Sequence, residues 1–194
     1  MTDFSSNTFE NQTFQNLTYL KQELFNKEFS NTTFKKCDFS ECNFSGSTFI
    51  ECIFVDCNLS NIKVDSCSFK DVIFENCKLL GVLFLNINTF LIKWSFKKSN
   101  IELCDFSGLD IKGTEFIECV IKETDFLDAN LSKSNFNLSD LEASKFNNTN
   151  LEKTNFIGAK NYYIDPIHNR LKNAKFSYPE ALRLLTPVGV KIEL

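Results

Sequence analysis

Apolar residues fall on every fifth position of this chain in two long registers. From Phe96 the series runs Phe96, Ile101, Phe106, Ile111, Phe116, Ile121, Phe126, Leu131, Phe136, Leu141, Phe146, Leu151, Phe156 without a miss. An earlier register reads Phe4, Phe9, Phe14, Tyr19, Leu24, Phe29, Phe34, Phe39, Phe44, Phe49, Phe54, Leu59, Val64, Phe69, Phe74, Leu79, Phe84. A helix places apolar residues at steps of three and four, and a half-buried strand at steps of two. A fivefold period therefore demands a repeat architecture in which every fifth side chain enters one core. Before Phe29 the flanking positions are irregular, with Leu17, Gln22 and Lys27 two residues ahead of the central one. Residues 1–28 are accordingly expected as a lead-in cap, and 29–160 as the strict array.

The position two residues before each central one is nearly always small, and all eight cysteines stand there: Cys37, Cys42, Cys52, Cys57, Cys67, Cys77, Cys104 and Cys119. Elsewhere the same slot holds Ser47, Thr114, Thr124, Ala129 or Ser134. Cys thus reads as a small, readily buried filler of a tight inward slot. Reduced structural thiols are expected, with Cys37, Cys57 and Cys77 in one column, and neither a disulfide framework nor a zinc site. The next position is often Asp or Asn, as at Asp38, Asn43, Asn58, Asp105, Asp110, Asp125 and Asn130. Their side chains bond nearby backbone in turns.

Units such as Cys42-Asn43-Phe44-Ser45-Gly46, Ala129-Asn130-Leu131-Ser132-Lys133 and Thr154-Asn155-Phe156-Ile157-Gly158 resemble the repeat of the pentapeptide repeat family. The resemblance implies an all-β fold, a right-handed quadrilateral β-helix in which each pentapeptide forms one side of a square coil of about 20 residues. Stacking residues one such coil apart gives uniform columns. Phe96, Phe116, Phe136 and Phe156 stand opposite Phe106, Phe126 and Phe146, while Ile101, Ile121 and Leu141 stand opposite Ile111, Leu131 and Leu151. Equal volume in every layer favours even packing down the axis.

Between Phe84 and Phe96 the spacing is twelve, two more than two repeats, so the register slips within 85–95. There Phe90, Leu91, Ile92 and Trp94 cannot all point inward. Either the kink packs its own side chains, or Phe90 and Trp94 form an exposed patch for a partner.

After Lys160 the pattern becomes turn-rich, and 161–194 is expected as a C-terminal cap and dimerisation module. Ser177-Tyr178-Pro179-Glu180 reads as a helix start, with Ser177 as N-cap, Pro179 in the first turn and Glu180 completing a capping box. A short capping helix should follow, stopped by Pro187 and Gly189, and then a terminal strand over 188–194. This tail resembles the ends of the Qnr- and McbG-like topoisomerase-protection proteins. The resemblance implies a homodimer, for which Tyr178, Leu182, Leu185 and Val188 are the candidate interface, and a bacterial type II topoisomerase (DNA gyrase or topoisomerase IV) as partner.

Composition adds limits. A chain of 194 residues with 43% hydrophobic content suits one domain with a sizeable core. Its 22 Phe against one Trp and four Tyr mark Phe as chosen for a repeated slot. No apolar run approaches the roughly 18 residues of a membrane span, and no basic-then-apolar leader opens the sequence, so a cytoplasmic protein is expected. His168 is the only histidine, which excludes histidine triads and multi-histidine metal sites, and its turn-rich setting suits an exposed residue. No enzyme activity, cofactor or metal is expected.

The net charge of -4 argues against direct nucleic-acid binding. Charge is nevertheless uneven. Glu102, Asp105, Asp110, Glu115, Glu118, Glu123, Asp125 and Asp128 face only Lys112 and Lys122 in the same stretch. An acidic rod has the form of duplex DNA, and together with the resemblance of the repeats and tail to the topoisomerase-protection proteins this implies a non-enzymatic DNA mimic that binds gyrase and protects it from quinolone-type poisons. The alternative is a scaffold that binds an unrelated protein through a flat face or the patch at Phe90 and Trp94. Surface acids also serve solubility alone.

Overall fold

The computed structural model of the protein describes residues 4–191. Short strands pair in parallel with the strand one coil away, Phe9 against Phe29, Phe14 against Phe34 and Ile101 against Ile121. The coils stack into a right-handed quadrilateral β-helix with four faces. We number the faces by their lowest central residue: Phe9, Phe14, Tyr19 and Leu24 begin the first to fourth.

Local sequence decides how each side of the square is built. Strands form at Thr33–Lys35, Ile53–Val55 and Glu115–Ile117, where the residue before the central one is Thr, Ile or Glu, although Thr18 and Glu23 near the first coil make only single bridges. Where it is Asp or Asn, the side is usually a single bridge followed by a turn. Its side-chain oxygen then accepts the amide two residues on, as Asp105 does from Ser107 at 2.8 Å and Asn130 from Ser132 at 3.2 Å. Most corners are residues in the left-handed region, with φ from +46° to +62° for non-glycine residues such as Asn31 and Lys133.

The second face is a continuous phenylalanine column: Phe14, Phe34, Phe54, Phe74, Phe96, Phe116, Phe136, Phe156 and Phe176. Above Phe34 its rings lie within 11° of parallel and 4.7–5.2 Å apart. At about 4.8 Å per strand spacing the column is roughly 40 Å long. In the upper coils Phe106, Phe126 and Phe146 form the opposed column, and the other two faces are aliphatic, as expected. Below the slip the arrangement differs, because Phe29, Phe49 and Phe69 place the second Phe column on the adjacent first face.

Trp94 overturns one expectation. It is 3% exposed and pairs with Val72, so it occupies the inward slot normally reserved for a small residue. The reason lies on the preceding side. Thr89, where the first-face central residue would fall, is exposed, and the vacated volume is filled by the indole, whose ring lies 5.3–6.1 Å from those of Phe69, Phe84, Phe96 and Phe106. The two extra residues emerge as a turn with Phe90 and Leu91 each 65% exposed.

The coils also run further than 29–160. Thr8–Glu10 pairs with Glu28–Ser30 and Thr13–Gln15 with Thr33–Lys35, so the expected lead-in already has coil geometry, and Phe4 closes its end against Phe9, Phe14 and Tyr19. At the other end Tyr163–Ile164 pairs with Lys145–Phe146 and Lys175–Phe176 with Asn155–Phe156. Residues 161–176 are thus a further coil. Buried Tyr162 helps fill a side shortened by two residues, and the turn at Asp165–His168 restores them.

The tail departs from its expected form. Glu180–Leu185 is a 3-10 helix whose N-cap is Pro179, with no side-chain cap. Ser177 cannot cap it because its hydroxyl accepts the Gly158 amide at 2.9 Å, and Glu180 pairs with Arg183 instead of reaching back. Val188 and Gly189 lie in turns closed by bonds from Gly189 to Thr186 and Val190 to Leu185, so the described part of 188–194 is not a strand. Residues 192–194 lie outside the described residues.

Candidate functional site

The interior is packed with side chains. Where Val64 interrupts the column between Phe44 and Phe84, a cavity of about 10 Å³ remains, room for about one water. All eight cysteines are free and buried. Their thiols do what the hydroxyls do in the same slot, donating to the carbonyl of a central residue one coil below. Cys67 donates to Phe44 at 2.9 Å and Cys119 to Phe96 at 3.4 Å, as Ser139 does to Phe116 at 2.7 Å and Thr154 to Leu131 at 2.8 Å. Burial pushes the thiols of Cys67, Cys104 and Cys119 up to about 12.

Two consequences follow from these raised values. In native protein at pH 8, iodoacetamide should label none of the eight thiols, whereas in denaturant it should label all; rapid native labelling would contradict the packing. Above pH 9 the unfolded chain ionises at these positions while the folded chain does not, so stability is full below about 8.5 and falls as pH rises toward 12. Replacing all three by Ser keeps a donor in the slot and should reduce that loss in urea unfolding at pH 7 and pH 10, the remainder coming from Cys37, Cys42, Cys52 and Cys57, which are raised as well.

Outward-facing groups are sorted by the coil. Of the eight candidate acids, Glu102 and Glu123 lie on or beside the third face and Asp105 and Asp125 on the fourth, with Asp128 on the corner after it. Asp140 and Glu142 join them on the third face, which the linear reading missed. Asp110 lies on the first face, Glu115 on the second and Glu118 on the corner between second and third. Several are engaged already: Asp110 accepts from Asn130, Glu115 from Ser95 and Asp128 from Asn148. Three lysines on the acidic side are paired, Lys122 with Glu142, Lys145 with Asp125 and Lys160 with Asp140.

Beside these acids runs an apolar strip. Leu83, Leu85 and Leu103 are 58%, 44% and 54% exposed, and a shallow groove of about 420 Å³ brings Leu83, Leu103 and Ala143 together with Asp105, Glu123, Asp125 and Lys145. Phe90 stands on the first face with Lys70 over its ring at 5.8 Å, separate from buried Trp94. At the C-terminal end Tyr178, Leu185 and Val188 are exposed and Leu182 half-buried. His168 is exposed, and its ring 2.7 Å from Asp165 holds that carboxyl below its usual range. Among the described residues no three acidic, histidine or cysteine groups cluster as metal ligands, and no helix is long and apolar enough to cross a membrane.

These features define a repeat protein with a closed core and an extended, chemically sorted outer surface. The sequence pattern of the pentapeptide repeat region matches residues 27–93 and 87–156, and the chain belongs to that family. No protein of curated function matches it by sequence. Among solved structures it is similar to a trypsin-treated variant of QnrB1, described as a plasmid-mediated fluoroquinolone resistance protein, with TM-score 0.80 and 19% identity over 96% of this chain and 98% of that one. A second trypsin-treated QnrB1 variant matches with TM-score 0.68 and 16% identity over 93% and 100%.

Proposed function

We propose that the protein is a non-enzymatic binder of a bacterial type II topoisomerase, occupying a site that otherwise holds duplex DNA and shielding gyrase from quinolone-type poisons. The observation that carries this reading is the gathering of Glu102, Asp105, Glu123, Asp125, Asp140 and Glu142 on two adjacent faces of a straight rod about 40 Å long. A partner groove built for phosphates would meet carboxylates there. The full-length fold likeness to a fluoroquinolone resistance protein supports the same reading.

The deciding experiment is supercoiling by purified gyrase with and without ciprofloxacin. Wild-type protein at micromolar concentration should restore supercoiling in the presence of drug, and Glu123→Lys with Asp125→Lys should abolish that effect. Glu115→Lys with Glu118→Lys, on other parts of the coil, should retain most of it. Neither protection nor inhibition by the wild type would sink the proposal. In this reading two copies join through Tyr178, Leu182, Leu185 and Val188, and a monomer alone in sedimentation would remove that part.

A second reading draws on the strip Leu83, Leu85 and Leu103, which suits a scaffold for an unrelated protein. Leu83→Ser with Leu103→Ser would abolish partner capture in that case while leaving any gyrase effect of the acids in place.

A further inference from the structure

The coil segregates charge across its square section, and the side diagonally opposite the acids is cationic. Lys112, Lys133, Lys153, Arg170, Lys172 and Lys175 occupy four successive coils on the first face, its corner with the second, and the adjoining edge of the second. Their register is fixed by backbone. Asp110, Asn130, Asn150 and Arg170 form one ladder of bridges, and the corners stack through bonds from Gly113 to Ser132, Lys133 to Glu152 and Lys153 to Lys172.

All six cations are exposed, and none makes an ion pair among the described residues. Lysines on the third and fourth faces of the same coils behave differently, since Lys122, Lys145 and Lys160 each lie 2.7–3.6 Å from a carboxylate. Three acids share the cationic side. Glu115 heads the ladder that runs through Asn135 and Asn155 to Lys175 and accepts the Ser95 hydroxyl at 2.9 Å. Asp110 is held by the Asn130 amide at 2.9 Å, and Glu152 stands between Lys133 and Lys153.

We infer that this strip binds the phosphate backbone of duplex DNA, without sequence preference. The strip is a row of cations on a flat face, with Asn130, Ser132, Asn150 and Asn173 between them as further polar contacts. At about 4.8 Å per coil, four levels span roughly 14 Å, or about four base-pair steps of 3.4 Å. Side chains on a flat β face reach phosphates and not base edges, so the binding is electrostatic and salt-sensitive. A net charge of -4 conceals this, because the surplus acids lie on the far side of a rod whose cross-section exceeds the screening length of about 8 Å at physiological salt.

This inference does not rest on the topoisomerase reading, since it uses the opposite side of the coil. The test is fluorescence anisotropy of a labelled duplex of about 20 base pairs, titrated with the full chain at salt between about 50 and 200 mM. Wild-type protein should bind at micromolar concentration at the lower salt and weaken steeply at the higher. Lys133→Glu with Lys153→Glu, both on exposed corners, should weaken binding at least about tenfold and reduce the salt slope by about 2, with an unchanged thermal melt. Glu123→Lys with Asp125→Lys should not weaken it. No anisotropy change up to about 100 µM protein would overturn the inference, being below ordinary non-specific affinity. So would unaltered binding by the Lys133 and Lys153 variant, or displacement of the duplex by polyglutamate as readily as by unlabelled DNA at equal charge, which would make the natural ligand an acidic protein.

Discussion

Replacing Phe116 by Asp is expected to abolish the native array. Phe116 is fully buried, its ring stacked 5.1 Å from Phe96 and 4.8 Å from Phe136, with edge contacts to Phe106 and Phe126. Removing the ring costs about 3–5 kcal/mol by analogy with Phe→Ala in other cores. A carboxylate without a partner adds several kcal/mol more at this depth. Together these approach the whole stability of an ordinary domain, about 5–15 kcal/mol. The milder Phe116→Ala should lower Tm by about 10 °C, at roughly 2–4 °C per kcal/mol for a chain of this size. In a one-dimensional stack a coil with one neighbour loses less. The proper comparison is Phe9, which is half-buried, because Phe29 has Phe9 below it and Phe49 above it and is not an end residue. Phe9→Asp should therefore fray the first coil and leave the rest folded. Equal losses of Tm for the two Asp variants would refute the end-to-middle gradient.

Trp94→Ser should be nearly as damaging as Phe116→Ala, although Ser fills the same slot two coils above, at Ser134. At Ser134 the central side chains around the slot are complete; at Trp94 the exposed Thr89 leaves a ring-sized gap bounded by Phe69, Phe84, Phe96 and Phe106. The expected loss is about 3–5 kcal/mol, read from the urea midpoint by circular dichroism. Thr114→Ser, in the equivalent slot one coil above, should cost under about 1 kcal/mol. A loss of that smaller size at Trp94 would mean the slip repacks without the indole.

The core was legible because its period is set by geometry that every coil repeats. Fifth positions and small slots follow from residue identity alone, the resemblance of those units to the pentapeptide repeat family implied the square section, and stacking residues one such coil apart then yielded the opposed columns of the upper coils. What failed involves volumes borrowed between sides. Nothing at Trp94 itself says that Thr89 turns outward, so a large residue in a small slot looked misplaced. Ser177 carried a capping signal that the Gly158 amide captured from one coil below, a contact no local rule contains. The outer surface was misread for a different reason. Counting acids along the chain merged residues that the coil sends to all four faces, so Asp110, Glu115 and Glu118 were grouped with Glu123 and Asp125. The arithmetic that aligned the phenylalanines would have separated them, and would also have placed Lys133 beneath Lys153.

The backbone hydrogen bonds between coils join residues 19 to 23 apart in sequence, from Asn11 with Ser30 to Asn100 with Cys77. Each inter-coil partner is thus about one coil away, which sets a relative contact order near 0.1, the range of helical bundles and below that of β-sandwiches. An all-β chain of this kind closes only short loops at each step. It can add coils one at a time as sequence becomes available, and the slow search that makes most β proteins late folders does not arise.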